Sequence, residues 1–104
     1  MRTFALLIGI AAAAGALQAA DAKAGQAAYE KSCKSCHGVE GTPNASIAKM
    51  MRVEMKDLKS AEIQSSGDDE LKKVITEGKG KMKGVSAAAS SAGDIVAYLR
   101  TWKK

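Results

Sequence analysis

The 104-residue chain has 16 basic and 11 acidic side chains, a net charge of +5 at neutral pH, two cysteines and one histidine. Its length allows one domain, which is too small to be stabilised comfortably by an unaided apolar core. The positive charge is compatible with nucleic acid, but arginines are not interleaved with aromatic residues, so we expect no nucleic-acid partner.

The first twenty residues have the layout of a secretory signal peptide. Arg2 supplies one positive charge, an uncharged apolar run extends from Phe4 to Leu17, and small residues follow. The run is shorter and less hydrophobic than a membrane-spanning helix requires. We predict a signal peptide over residues 1–20, cleaved between positions 19 and 22. The mature domain, residues 21–104, is then periplasmic, with no stable membrane insertion.

Two helices are predicted in the first half of this domain. The segment from Ala24 to Ser35 has residues that favour helix, and the glycines at positions 38 and 41 break it. A second, amphipathic helix is predicted from apolar residues at steps of three and four. These residues are Ile47, Met50, Met51, Met55 and Leu58.

Two more helices are predicted in the second half. Ser66 with Asp69 is a possible N-cap box for the third helix, and Gly78 stands where a C′ glycine would end it. The fourth helix is predicted from apolar residues at i, i+3, i+4 and i+7, namely Ile95, Tyr98, Leu99 and Trp102. The pattern therefore predicts an all-α fold of about four short helices with no strand. Because the chain has so few large apolar residues, we expect a large apolar group at the centre of the fold.

Both cysteines and the histidine lie within five positions, in Cys33-Lys34-Ser35-Cys36-His37. This pattern is the C-x-x-C-H signature of c-type haem attachment. On a helical turn, residues at i, i+3 and i+4 share a face, so both thiols can bond the porphyrin edge while His37 faces the iron. Thioether bonds would also consume two thiols that are not expected to stay free in an oxidising compartment.

Two other uses of the cysteines are open at this point. A Cys33–Cys36 disulfide or a thiol–disulfide redox module would fit the spacing, although a strand–helix–strand pattern is not visible around it. Zinc would usually need a fourth protein ligand, and no other cysteine or histidine is present.

The sequence resembles the class I monohaem cytochromes c over essentially the whole mature chain. The resemblance rests on three segments: AGQAAYEKSCKSCHG, DDELKKVITEGKGKMKG and DIVAYLRTWKK. It implies one covalently attached haem c, with the N-terminal helix crossing the C-terminal helix near Gly25. A glycine at such a crossing lets two backbones approach closely.

The resemblance also implies the site residues. Cys33 and Cys36 form the thioethers, His37 is the proximal iron ligand, and Met82, in the glycine-rich loop, is the distal ligand. Met50, Met51 and Met55 remain alternatives, although methionines on a helix are commonly core filler. Pro43 matches a proline whose carbonyl accepts the other imidazole N–H, and it also suits an ordinary turn.

A His/Met-ligated iron has no open position, so the resemblance implies a soluble one-electron carrier rather than an enzyme. Five lysines near the site could form a positive ring that attracts redox proteins with acidic docking surfaces, or an ordinary solvated surface. They are Lys31, Lys34, Lys79, Lys81 and Lys83. We expect a monomer. If Met82 is not a firm ligand, a haem sensor or a peroxidase-like protein is the alternative.

Overall fold

The computed structural model describes residues 20–103, so the predicted signal peptide lies almost entirely outside the described residues. Six α-helices are present in this part: α1 Ala22–Ser32, α2 Lys34–His37, α3 Ala45–Met51, α4 Ala61–Gln64, α5 Asp68–Glu77 and α6 Ala92–Arg100. A two-stranded antiparallel hairpin, β1 Gly78–Lys79 and β2 Met82–Lys83, follows α5, and a 3-10 helix, Ser86–Ser91, precedes α6. None of these helices is long and apolar enough to cross a membrane.

The terminal helices α1 and α6 cross at Gly25. A Cβ atom built on Gly25 would overlap the backbone carbonyl of Asp94, so only glycine permits this approach. The Asp21 side chain caps α1 by accepting hydrogen bonds from the backbone N–H groups of Lys23 and Ala24. The backbone nitrogen of Asp21 donates to Asp94 Oδ1 at 2.8 Å. The predicted crossing of the terminal helices is therefore confirmed.

The core lies between these helices and is aromatic at one end. Tyr29 and Ile95 are each 1% exposed. The ring centroid of Tyr29 lies 5.5 Å from that of Tyr98 and 5.6 Å from that of Trp102, within the range of favourable aromatic pairs. The Tyr29 hydroxyl donates to the Gly38 carbonyl at 2.6 Å, which ties the core to the residue after the C-x-x-C-H motif.

Gln64, at the end of α4, joins the middle of the chain to the C-terminal helix. Its buried side-chain amide donates to the carbonyls of Leu58 and Leu99, both at 2.9 Å. Arg100 donates to the Gln64 carbonyl at 2.9 Å and pairs with Asp68 at 2.8 Å. The sequence patterns did not predict α4 or this buried amide.

The prediction of an all-α fold is confirmed, but several details are corrected. The second helix ends at Met51, because Arg52 adopts a left-handed conformation with φ 55°. Met55 and Leu58 therefore lie beyond it in non-helical chain. The N-cap of α5 is Gly67 rather than Ser66, whose hydroxyl donates to the Glu62 carbonyl.

The C-terminal end of α5 was predicted correctly, and the chain beyond it was not. Gly78 ends α5 with φ 85°, as the pattern indicated. The following residues form the short hairpin instead of a simple loop, with Gly78 opposite Lys83 and Lys79 opposite Met82. Each strand has only two residues, which is too few to give a recognisable alternation of apolar and polar residues in the sequence.

Candidate haem-binding site

The C-x-x-C-H motif forms one helical turn. The Cys33 carbonyl accepts hydrogen bonds from the backbone nitrogens of Cys36 at 3.3 Å and His37 at 3.0 Å. Cys33 itself separates α1 from α2, and Gly38 ends α2 with φ 79°. Two cysteines and the histidine are therefore at i, i+3 and i+4 of one turn, the spacing that places side chains on a common face.

Both cysteine thiols are free and half-buried. Burial, together with the neighbouring Cys36, raises the pKa of the Cys33 thiol above its ordinary value. Thiols that act in disulfide exchange usually have a lowered pKa, because the thiolate is the nucleophile. The direction of the shift in the pKa of Cys33 is opposite to that change.

The His37 ring is half-buried, and its Nδ1 atom is completely buried without a hydrogen-bond partner in the described part of the chain. Burial lowers the pKa of His37, which favours the neutral imidazole. The hydrogen bond expected from His37 to the Pro43 carbonyl is not formed, since Nδ1 has no partner. A neutral, poorly solvated imidazole is the form of histidine that binds metals.

Asn44, in the loop after the motif, forms a hydrogen bond back to the cysteine turn. The Asn44 backbone nitrogen donates to the Cys36 carbonyl at 2.9 Å. The Asn44 side chain accepts hydrogen bonds from the first turn of α3 and so caps that helix. An asparagine directly before a helix is a recognisable N-cap signal, but its link to the cysteine turn was not predicted.

Met82 lies on β2, an element separate from the cysteine turn, and its side chain is half-buried. The hairpin that carries it packs mainly against α5. The structure thus brings Cys33, Cys36 and His37 together on one turn, and places Met82 on a different element. Of the alternative methionines, Met50 is 72% exposed, whereas Met51 and Met55 are half-buried.

Several apolar side chains of α3, the chain that follows it, α5 and the hairpin lie outside the protein core. These half-buried side chains are neither members of the buried core nor packed against it. They include Ile47, Met51, Val53, Met55, Val74 and Met82. Apolar side chains without a core partner are available to bind an apolar group.

A metal site built from protein side chains alone is not supported by the described residues. Within residues 20–103, no group of three or more histidine, cysteine, aspartate or glutamate side chains is arranged to hold a metal ion. A zinc site would need such a group.

The cysteine turn and the crossed terminal helices are those of a small monohaem c-type cytochrome. The family model described as "Cytochrome C oxidase, cbb3-type, subunit III" matches residues 20–99, and the chain belongs to this family. A solved structure entitled "KustC0563 c-type cytochrome" is similar, with a TM-score of 0.66 and 26% sequence identity. The similarity covers 77% of this chain and 98% of that one. No curated protein matches the sequence.

Membership of the family establishes the cofactor as covalently attached haem c with its iron, as the motif predicted. It also establishes haem-based electron transfer as the general function. Members of such families are typically electron carriers rather than enzymes, and their domains are typically exported.

Proposed function

We propose that this protein is a one-electron carrier in which Cys33 and Cys36 hold the haem through thioether bonds, and His37 and Met82 are the iron ligands. The observation that carries the proposal is the single helical turn that places Cys33, Cys36 and His37 at i, i+3 and i+4. Each thiol adds its S–H across one vinyl group, so attachment needs no oxidant and releases no leaving group.

The two proposed ligands have complementary chemistry. His37 supplies a neutral imidazole nitrogen, and Met82 supplies a soft thioether that favours ferrous iron and raises the reduction potential. The bound haem supplies the one-electron exchange. Exchange with a donor and an acceptor protein would form or break no bond of the protein. With His37 and Met82 both bound to it, the iron would have no site open to a substrate.

We assign the docking of redox partners to the lysines around the site. All of these lysines are exposed, which supports an interaction with acidic surfaces. They are Lys31, Lys34, Lys79, Lys81 and Lys83. Exposed charges raise association rates and leave the complex weak enough to dissociate after transfer. The association rate with an acidic redox partner should fall steeply as ionic strength rises, and a rate that is independent of salt would contradict this assignment.

The mature protein is proposed to be a periplasmic monomer that retains Asp21. Cleavage after Ala22 would remove the cap of α1 and the hydrogen bond to Asp94. Cleavage after position 19 or 20 would preserve both. Intact-mass analysis of the secreted holoprotein should therefore show a chain that begins at Ala20 or Asp21, and a chain that begins at Lys23 would contradict the proposed boundary.

Absorption spectra of periplasmically produced protein test the ligand assignment. Native protein should show a low-spin c-type spectrum with the weak red band of methionine-bound ferric iron. Met82→Ala should lose that band, and its ferrous form should bind carbon monoxide. Met50→Ala is the matched control and should behave like the native protein. A native protein that is already high-spin would instead favour a sensor or peroxidase-like function.

A further inference from the structure

The hairpin that carries Met82 is firmly attached at its base. The backbone nitrogen of Val85 donates to the Ile75 carbonyl at 2.8 Å. A Cβ atom on Gly84 would overlap the Thr76 carbonyl, so the chain after β2 lies directly against α5. These contacts hold Gly84 and Val85, the two residues after β2, against α5.

The tip of the hairpin has much less support. Gly80 has φ 59°, and a Cβ atom there would meet nothing within 4 Å. Among the described residues, the hairpin makes one side-chain hydrogen bond to another element, from Lys81 Nζ to the Met51 carbonyl at 2.9 Å. Met51 is the last residue of α3, where backbone carbonyls have no partner within the helix.

The other end of α3 is attached to the haem-binding turn. Asn44 caps α3 with its side chain, and its backbone nitrogen donates to the Cys36 carbonyl. Helix α3 packs only weakly on other helices of the described chain. It therefore connects two segments: the turn with His37 at its N-terminal end, and the hairpin, through Lys81, at its C-terminal end.

We propose that Lys81 is a positioning residue that holds Met82 on the iron by fastening the hairpin tip to α3. The inference rests on the proposed function, because it takes Met82 as the distal ligand. Lys81 is adjacent to Met82, so movement of the tip moves the residue that carries the sulfur. Loss of the hydrogen bond leaves the fold intact and makes the distal ligand easier to displace.

Lys81→Gln tests this role, since glutamine is too short to reach the Met51 carbonyl. Titration of the ferric holoprotein with imidazole should show an affinity about three- to tenfold higher than in the native protein, the range expected for one lost hydrogen bond. Lys79→Gln and Lys83→Gln remove the same charge on either side and should change the affinity by less than about twofold. Lys81→Arg keeps a donor of sufficient length and should restore the native affinity.

Two results would overturn the proposal in distinguishable ways. If all three glutamine variants have equal imidazole affinities and the native protein shows the methionine–iron band, the role of Lys81 is rejected and Met82 remains the ligand. Absence of that band from the native protein would reject Met82 as the ligand and the proposal with it. Thermal unfolding of each variant provides the structural control, because a general loss of stability would lower the melting temperature as well as alter ligand exchange.

Discussion

Two regions of this cytochrome differ in how they are held together. The terminal-helix region consists of α1, the 3-10 helix and α6, and it contains residues as buried as Tyr29, at 1% exposure, and Val96, at 2%. The second region, named the cleft region because the proposed haem would lie there, consists of residues 45–57 and 78–84, and its apolar side chains are at most half-buried. The first region is helical, whereas the second combines a short helix, irregular chain and a two-stranded hairpin.

The difference shows where the protein relies on its cofactor. In the terminal-helix region the backbones meet at Gly25 and the aromatic rings pack on one another. In the cleft region Ile47, Met51 and Val53 have no protein core to pack against. A bound haem would cover that surface and replace the missing contacts, because burial of apolar area is the main favourable term in folding.

The largest effect is expected when both cysteines are removed. Cys33→Ser with Cys36→Ser should abolish covalent attachment completely, since each thioether requires a cysteine sulfur. Haem staining after denaturing electrophoresis measures this directly. Lys34→Ala with Ser35→Ala alters the two intervening positions and should retain the stain. Stain that persists in the double serine variant would contradict the assigned attachment residues.

The next largest effect is expected at the crossing of the terminal helices. Gly25→Ala places a methyl group into the Asp94 carbonyl and should lower the free energy of unfolding by about 3 kcal/mol or more. Gly93→Ala is the control, because its Cβ would meet only the Lys72 side chain at 3.7 Å. That variant should range from unchanged to about 1 kcal/mol more stable, through helix propensity. Denaturant unfolding of both holoproteins compares them, and equal losses would refute the close-approach argument.

A smaller effect is expected at the link between the middle of the chain and α6. Gln64→Leu leaves the carbonyls of Leu58 and Leu99 without their donor, at a cost of about 1–3 kcal/mol. Gln26→Ala removes an exposed glutamine that bonds Glu30 at 3.2 Å and should change stability by less than about 0.5 kcal/mol. Melting temperatures of the two variants test this contrast, which would fail if Gln64→Leu were as stable as the control.

Sequence patterns predicted the terminal-helix region better than the cleft region. The apolar spacing of Ile95 and Leu99 correctly predicts a buried helix face, because that face packs against the protein's own core. Gly78 could be interpreted from the backbone freedom that a helix end requires, whereas the close approach at Gly25 was implied by the family resemblance. In these places the local sequence and the tertiary contacts favour the same structure.

The cleft region was predicted less well for a physical reason. Apolar spacing between Ile47 and Leu58 resembles one helix, but the helix stops at Met51 and the later residues are not helical. Side chains that contact a cofactor are apolar whether or not their backbone is helical. The spacing of apolar residues is therefore a misleading signal for a helix in this region. The bond from Lys81 to Met51 joins residues 30 positions apart, and no local pattern indicates it.

The central claim is that a haem held by Cys33, Cys36, His37 and Met82 completes the cleft region. Proton NMR of the reduced holoprotein tests it most directly, because the methyl group of an iron-bound methionine is shifted far upfield by the porphyrin ring current. We predict that this signal belongs to Met82 and that haem protons show nuclear Overhauser contacts to Ile47, Met51 and Val53. An upfield methyl that belongs to Met51 or Met55, or haem contacts that are absent from residues 45–57, would contradict the account.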